Sequence, residues 1–304
     1  MLRLCHVSGF CLALWSSLAI AQVRPELKYP PNTKSVSETS VKMRQVLTLA
    51  GMDLETNVTT FTLVSKSIGQ RAGDGTIPIE EKVQVLQTEI GLPGGTTLQF
   101  DSANPDKKAD NPLLEPVLER LRVTFKSPVT LILDDKNQVK EVKFPEGVAE
   151  SVHESNKSLF NAEKRKKAIE QARGYLPDEP VKMGDSWERN LDLDLGGGQT
   201  MALRTKYTYA GTVEQDGRTL DKITGQVLDV TYTMEASSSP IQVTKSSLKV
   251  SESNDVILFD RESGNVQQKT GKFRIEGPMT LVINGTELEG KLDLTLEETT
   301  KLQK

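Results

Sequence analysis

The longest run of two-residue alternation in this chain lies beyond residue 200. Met201, Leu203, Thr205, Tyr207 and Tyr209 step by two, Asp216-Gly217 turns the chain, and Ile223, Gly225, Val227, Val230 and Tyr232 bring it back. A period of two with one apolar face marks a half-buried antiparallel strand, and Asp-Gly between two such runs is the strongest short-range hairpin signal. Arms of roughly fifteen residues at about 3.3 Å each would reach about 50 Å if straight. That exceeds the thickness of a compact domain, so a sheet built from them must twist and curve strongly.

The same alternation recurs elsewhere. Val58 with Phe61 and Leu63, Val83 with Val85, Leu98 with Phe100, and Leu121 with Val123 and Phe125 read as strands of an N-terminal meander, with turns at Gly73-Asp74-Gly75 and Leu92-Pro93-Gly94-Gly95. Val129, Leu131 and Leu133 return through Asp134-Asp135-Lys136-Asn137 to Val139, Val142 and Phe144 as a hairpin. Further hairpins turn at Gly264-Asn265 and Asn284-Gly285, and Leu288, Leu292, Leu294 and Leu296 close the chain as one or two strands. Residues 131–139 and 257–266 share an order of strand, acidic turn and strand, which is read as two hairpins built alike rather than as a duplicated half-barrel. Helical spacing replaces period two in only two places. Asn111-Pro112 offers a cap and a first-turn proline for a short helix through Leu113, Leu114, Val117 and Leu118. Between residues 146 and 175, Val148, Val152, Leu159, Phe160, Ile169 and Ala172 lie among charged residues as on one or two amphipathic helices, ended by Gly174. The expected fold is mainly β (α+β): a long, curved antiparallel sheet or half-barrel of hairpins, with a helical segment inserted near the middle.

At the N-terminus Arg3 precedes an apolar run from Phe10 to Ile20 that closes on Ala19-Ile20-Ala21, the pattern of a secretory signal peptide over residues 1–21. Serines interrupt the run, and it falls short of the roughly 18 continuous apolar residues that a membrane span needs. Residues 22–40, with Pro25, Pro30, Pro31 and no period, read as a flexible linker. Residues 41–304 then form a single β-rich domain in two halves, 41–145 and 181–304, joined by helices over 146–175. Both cysteines, Cys5 and Cys11, fall in the leader, so an ordinary core must hold the exported chain together. The formal net charge of −4, one unit lower without Arg3, gives no electrostatic footprint for nucleic acid. No later apolar stretch is long enough to span a membrane.

Catalytic patterns are missing. Without the leader the chain has one histidine, His153, read as a solvated helix-surface group, and no Gly-x-Ser-x-Gly elbow. Gly196-Gly197-Gly198 lacks the Lys-Ser or Lys-Thr of a phosphate loop and reads as a turn. Without thiolates the usual zinc and copper sites are excluded. Asp101, Asn104, Asp106 and Asp110 are near enough in sequence to meet on calcium, but Lys108 stands where a ligand oxygen should, and a polar loop that caps the next helix is the favoured reading. Asp192 and Asp194 share a strand face, and a carboxylate-based hydrolase would need them, or another acidic pair, in a cleft. No catalytic residue, metal or cofactor is therefore expected.

The stretch Leu176-Pro177-Asp178-Glu179-Pro180-Val181-Lys182-Met183-Gly184-Asp185-Ser186-Trp187 separates helical from strand sequence. Pro177 and Pro180 should stop the helix, Gly184-Asp185 should turn the chain, and Trp187 should anchor the first long strand in the core. This motif, together with Asp101-Ser102 followed by Asn104-Pro105-Asp106, resembles a family of exported bacterial β-rich proteins classed as a domain of unknown function, over residues from about 42 to the C-terminus. The resemblance implies export from a bacterium, to the periplasm or beyond, and carries no activity. In its curved sheet with helices the chain is also similar in architecture to periplasmic lipoprotein carriers that hold acyl chains, an analogy of fold alone. The reading reached is an exported non-enzymatic module that binds an apolar small molecule or an envelope protein on its curved sheet, with Met201, Leu203, Tyr207, Tyr209, Val227, Ile257 and Phe259 as candidate lining. The alternative is a structural or surface-interaction envelope protein whose core is simply filled.

Overall fold

Every strand in the chain's sheet runs antiparallel to its neighbours, and all belong to one open, curved sheet. The computed structural model describes residues 22–150, 152, 154–196, 199–234 and 241–303; the expected leader, His153 and Gly197-Gly198 lie outside them. Among the described residues the strands are β1 (Lys34–Leu49), β2 (Met52–Ile68), β3 (Ile77–Gly91), β4 (Thr97–Asp101), β5 (Val129–Leu133), β6 (Val139–Lys143), β7 (Ser186–Gly196), β8 (Gln199–Gln215), β9 (Arg218–Met234), β10 (Ile241–Ser246), β11 (Lys249–Asp260), β12 (Asn265–Ile283) and β13 (Thr286–Leu302). Their order across the sheet is β6-β5-β3-β2-β1-β13-β12-β10-β9-β8-β7, with β4 on β3 and β11 pairing with both β12 and β9.

Turn chemistry sets the register. Asp216 and Gly217 hold φ of 51° and 72° between β8 and β9, and Asn284 and Gly285 hold 50° and 82° between β12 and β13. Two successive positive φ values make the hairpin turn whose twist matches its strands. The two acidic hairpins are closed alike: Asp134 Oδ1 accepts from the backbone N–H of Lys136 and Gln138, and Asp260 Oδ1 accepts from those of Glu262 and Ser263.

Residues opposite one another in an antiparallel pair share a face. Following the registers from strand to strand puts Met43, Leu47 and Leu49 of β1 on the same face as Leu292, Leu294 and Leu296 of β13, Ile275, Met279 and Leu281 of β12, and Met201 and Leu203 of β8. The other face carries ion pairs such as Arg44–Glu55 at 3.0 Å, Arg274–Asp293 at 2.7 Å and Lys272–Glu252 at 3.2 Å. The apolar face is the concave one. Met43, Leu47 and Leu54 share a packed cluster with Leu191 and Leu193 of β7, although six strand spacings would hold β1 and β7 about 29 Å apart in a flat sheet.

Two helices complete the wall. Helix α1 (Glu115–Lys126) follows a 3₁₀ turn at Pro112–Leu114, where Asn111 Oδ1 caps the Leu113 N–H at 3.0 Å. Its Leu118, Leu121 and Phe125 pack on Leu86, Leu98 and Phe100 of β3 and β4. Helix α2 (Ala162–Ala172) is capped by Asn161 and reaches both β6 and β7, the two ends of the strand order. Its Ala162 and Ile169 pack with Val139 and Val142 of β6. On the other side Lys167 Nζ lies 2.7 Å from Asp192 Oδ2 of β7, while Gln171 Oε1 accepts from the Asp192 backbone N–H at 3.1 Å and its amide donates to Asp192 Oδ2 at 3.2 Å. The sheet thus closes through a helix.

Two expectations differ from the structure. Leu121, Val123 and Phe125 are helical: Leu114, Val117, Leu118, Leu121 and Phe125 recur at three and four residues, and the step of two through Val123 was coincidental. Residues 34–40, placed in the linker by their prolines and serines, open β1 and pair with both β2 and β13. Ser35, Ser37, Thr39 and Ser40 are polar on either face, so no alternation betrays the strand. The rest of the segment is tied down too: Val23 pairs with Val181, Pro25 is fully buried, and Lys28 Nζ donates to the Arg261 and Glu262 carbonyls.

Gly290 interrupts the leucine period of β13 for a steric reason. A Cβ there would meet Leu49 Cδ2 at 2.7 Å and the Thr48 carbonyl oxygen at 2.8 Å. Gly290→Ala should therefore lose about 1–3 kcal/mol of stability in urea denaturation, whereas alanine at the open turn position Gly73 should not overpack anything.

Candidate functional site

The joint before β7 is built as a docking point. Gly184 adopts a φ of 93°, Asp185 Oδ2 accepts the Lys182 N–H at 3.0 Å, and the Gly184 N–H and Asp185 carbonyl bond the Tyr209 backbone at 2.8 and 2.9 Å. The turn therefore delivers Ser186 into β7 already in register with β8. Trp187 then stacks on Tyr207, with ring centroids 6.1 Å apart, and its indole N–H donates to the Gly174 carbonyl at 3.0 Å. One side chain thus ties the segment just after α2 to β7. The ring is part-buried against Val181, Tyr209, Ile223 and Ile257.

The candidate lining divides between packed clusters. Met201, Leu203 and Val227 sit in the large concave cluster, while Tyr209 and Ile257 sit in the cluster beside Trp187, with Tyr207 against it. Phe259 has 0% of its surface exposed, and Met201 2%. Of the seven only Tyr207 is not buried. Burial pushes its phenol up to about 12, and the nearby Asp255 carboxylate adds to the shift.

Between these clusters part of the concave face is left uncovered. The registers place Thr39 and Val41 of β1, Val58, Thr60, Thr62 and Val64 of β2, Glu298 and Thr300 of β13, and Lys269 of β12 on it. All are part-buried, and the three valines belong to none of the packed clusters. Hydroxyl pairs bridge the strands, Thr39 with Thr300 at 3.0 Å and Thr60 with Thr88 at 3.3 Å, and Lys269 pairs with Glu298 at 2.9 Å. The stretch offers methyl groups, satisfied hydroxyls and one neutralised ion pair.

Asp255 of β11 borders it. Its neighbours in register are Gly271 and Gly225, and a Cβ on Gly271 would lie against the Asp255 carboxyl. Desolvation raises the carboxyl's pKa above its ordinary 3.8, with Lys269 opposing and Glu298 reinforcing the shift. Neither Asp255 nor the uncovered stretch was singled out from sequence. The isolated signal was two glycines in otherwise regular strands, which mark close approach by another group.

A second polar feature is also invisible to sequence patterning. Asp221, 1% exposed, receives two hydrogen bonds from Arg261, at 2.6 and 2.8 Å, and one from the Tyr209 hydroxyl at 2.7 Å. Burial, then the bond to Asp221, pushes the Tyr209 phenol up to about 12. Both carboxylate oxygens are engaged, so this triad pins β8, β9 and the β11–β12 turn together rather than offering a reactive group.

Asp101, Asp106 and Asp192 find structural partners. Asp101 Oδ1 accepts the Ala103 N–H, Asp106 pairs with Lys126 of α1 at 2.8 Å, and Arg122 bonds the Pro105 and Lys107 carbonyls, so cations of α1 gather the acidic loop. Asp192 sits at the seam with α2, where the bonds from Lys167 and Gln171 hold its carboxyl below the usual range. Among the described residues no three His, Cys, Asp or Glu side chains are grouped to hold a metal ion, and no helix is long and apolar enough to cross a membrane.

A family model described as a family of unknown function, DUF6263, matches residues 74–266. No curated protein matches the chain. Among solved structures, lipovitellin is similar with a TM-score of 0.40 and 11% identity, over 91% of this chain and 26% of that one. The chain thus spans about a quarter of lipovitellin's length. OccK5 of Pseudomonas aeruginosa gives a TM-score of 0.24 at 7% identity over 89% and 98% of the two chains, and a DUF1329 protein of Desulfovibrio piger gives 0.13 at 8% over 87% and 85%. All three fall below the similarity from which a shared fold follows.

Two outcomes follow from the site's geometry. Trp187→Ala should lose about 2–4 kcal/mol in chemical denaturation, somewhat below the value for a fully enclosed ring; an unchanged midpoint would sink the anchor role. Asp255 titrates with the opposite sign to a paired carboxylate. Because folding raises its pKa, its ionised form opposes folding above that raised value, and the opposition disappears as the pH falls towards 3.8. Asp255→Asn should therefore be more stable than wild type at neutral pH, and the advantage should vanish near pH 4 in thermal melts run across that interval.

Proposed function

The chain belongs to the family of unknown function DUF6263, and we propose that it is an exported, non-enzymatic binding module that holds an elongated, largely apolar ligand on the uncovered stretch of its concave face. The observation that carries this reading is the position of Val41, Val58 and Val64: apolar, on the inner face of a curved sheet, yet outside every packed cluster. Sheets bury apolar faces by default, and a face left open amid satisfied hydroxyls suits a ligand of methylenes better than one of charges. The lining that the long strands suggested is replaced by this neighbouring stretch, because Met201, Leu203, Val227, Ile257 and Phe259 already contact protein.

Native mass spectrometry and titration with fatty acids and phospholipids test the proposal. A saturable complex should form with an acyl-chain ligand, and Val41→Arg, which puts a cation between Thr60 and Glu298 in register, should weaken it by about tenfold or more without lowering the melting temperature. If no lipid class binds, the ligand reading fails. A second reading then takes its place, favoured by the filled positions around Phe259: a surface-interaction protein of the envelope whose sheet is a scaffold.

A further inference from the structure

The chain also has a polar cleft away from the concave stretch, of ≈ 580 Å³, where the two ends of the sheet meet. Its walls come from the segment after residue 22, the β5–β6 turn, the end of α2, the joint at 174–178 and the start of β7. Four cations line it: Arg24, Lys136, Arg173 and Arg189. Three carboxylates, Glu26, Glu170 and Asp178, accompany them. Two pairs are internally neutral, Arg24 with Glu26 at 2.8 Å and Arg189 with Asp178 at 2.7 Å. Arg173 has no carboxylate partner among the described residues; it donates to the Asn137 carbonyl at 3.2 Å and lies 5.9 Å from the centre of the Tyr29 ring. Lys136 is exposed and, like Glu170, has no ion-pair partner among the described residues.

We infer that this cleft binds a small hydroxylated monocarboxylate. The lining holds four cations against three carboxylates, so a single negative charge neutralises it, whereas a phosphate dianion would overshoot. Arg173 is positioned by the Tyr29 ring and the Asn137 carbonyl, which leaves further donors of its fork for a carboxylate. Gln138 of the β5–β6 turn and Asn190 of β7 also line the cleft, and amides are groups that pair with hydroxyls as both donor and acceptor. The volume lies within the range of small-molecule sites. A ligand seated there touches the β5–β6 turn and β7 at once, so its binding also braces the seam that α2 spans.

Calorimetric titration of the full chain with glucuronate, glucose and inorganic phosphate at low ionic strength tests this. Glucuronate should saturate one site and raise the melting temperature, glucose should give no heat, and phosphate should bind at least about tenfold more weakly. Lys136→Gln and Arg173→Gln should each weaken glucuronate by about tenfold, while Lys272→Gln on the convex face should leave it unchanged. Arg173 also braces the cleft, so Lys136→Gln decides the matter if the other variant unfolds. Absence of glucuronate binding, equal binding of glucose or phosphate, or indifference to Lys136→Gln overturns the assignment. None of these results bears on lipid binding to the concave face.

Discussion

Curvature is the condition on which everything else in this chain rests. Its strands reach 19 residues, and the long ones carry an apolar strip along one face that the short helices α1 and α2 cannot cover. The sheet turns the strip inward, so that Leu191 of β7 and Met43 of β1, far apart in the strand order, belong to one packed cluster. At about 25 cal/mol per Å² of apolar surface removed from water, burial of that cluster outweighs any single surface ion pair on the convex side, each of which contributes at most about 1 kcal/mol. The ion pairs instead keep the outer face wet and so decide which way the sheet bends.

Curvature also explains why binding surfaces arise where they do. A face that curls on itself packs fully only where opposing side chains meet, and in the middle of β2 and β1 the side chains of Val41, Val58 and Val64 stay outside every packed cluster. Small β-branched residues occupy it, and hydroxyl pairs such as Thr39–Thr300 satisfy its polar groups across neighbouring strands. The cleft at the seam has a different origin. There closure runs through α2 instead of strand pairing, and a helix end, a turn and the segment after residue 22 leave polar side chains around a cleft.

Much of the architecture was legible in sequence because period two survives wherever one face is dry. The β8–β9 and β12–β13 hairpins, the helices near the middle and the joint at Trp187 all follow from alternation, glycine turns and proline placement. The strand over residues 34–40 was not legible, since both of its faces are polar, and α1 borrowed two steps of a strand's period. Site residues were harder still. Long apolar arms point to the best-buried positions, so Met201 and Phe259 stood out for the same property that encloses them. Val41, Lys269 and Asp255 become neighbours of a site only through strand pairings, and Arg173 only because the end of α2 packs on a distant turn; a single sequence displays neither.

Gln171 presents to β7 what a neighbouring strand would: a carbonyl for the Asp192 N–H and an amide for its side chain. Unpaired strand edges are templates on which a second chain can add. By lending an amide in place of a strand at Asp192, with the Lys167 charge beside it, α2 guards part of the β7 edge against such addition. The same helix that completes the wall of one molecule therefore works against extension of its sheet into the next.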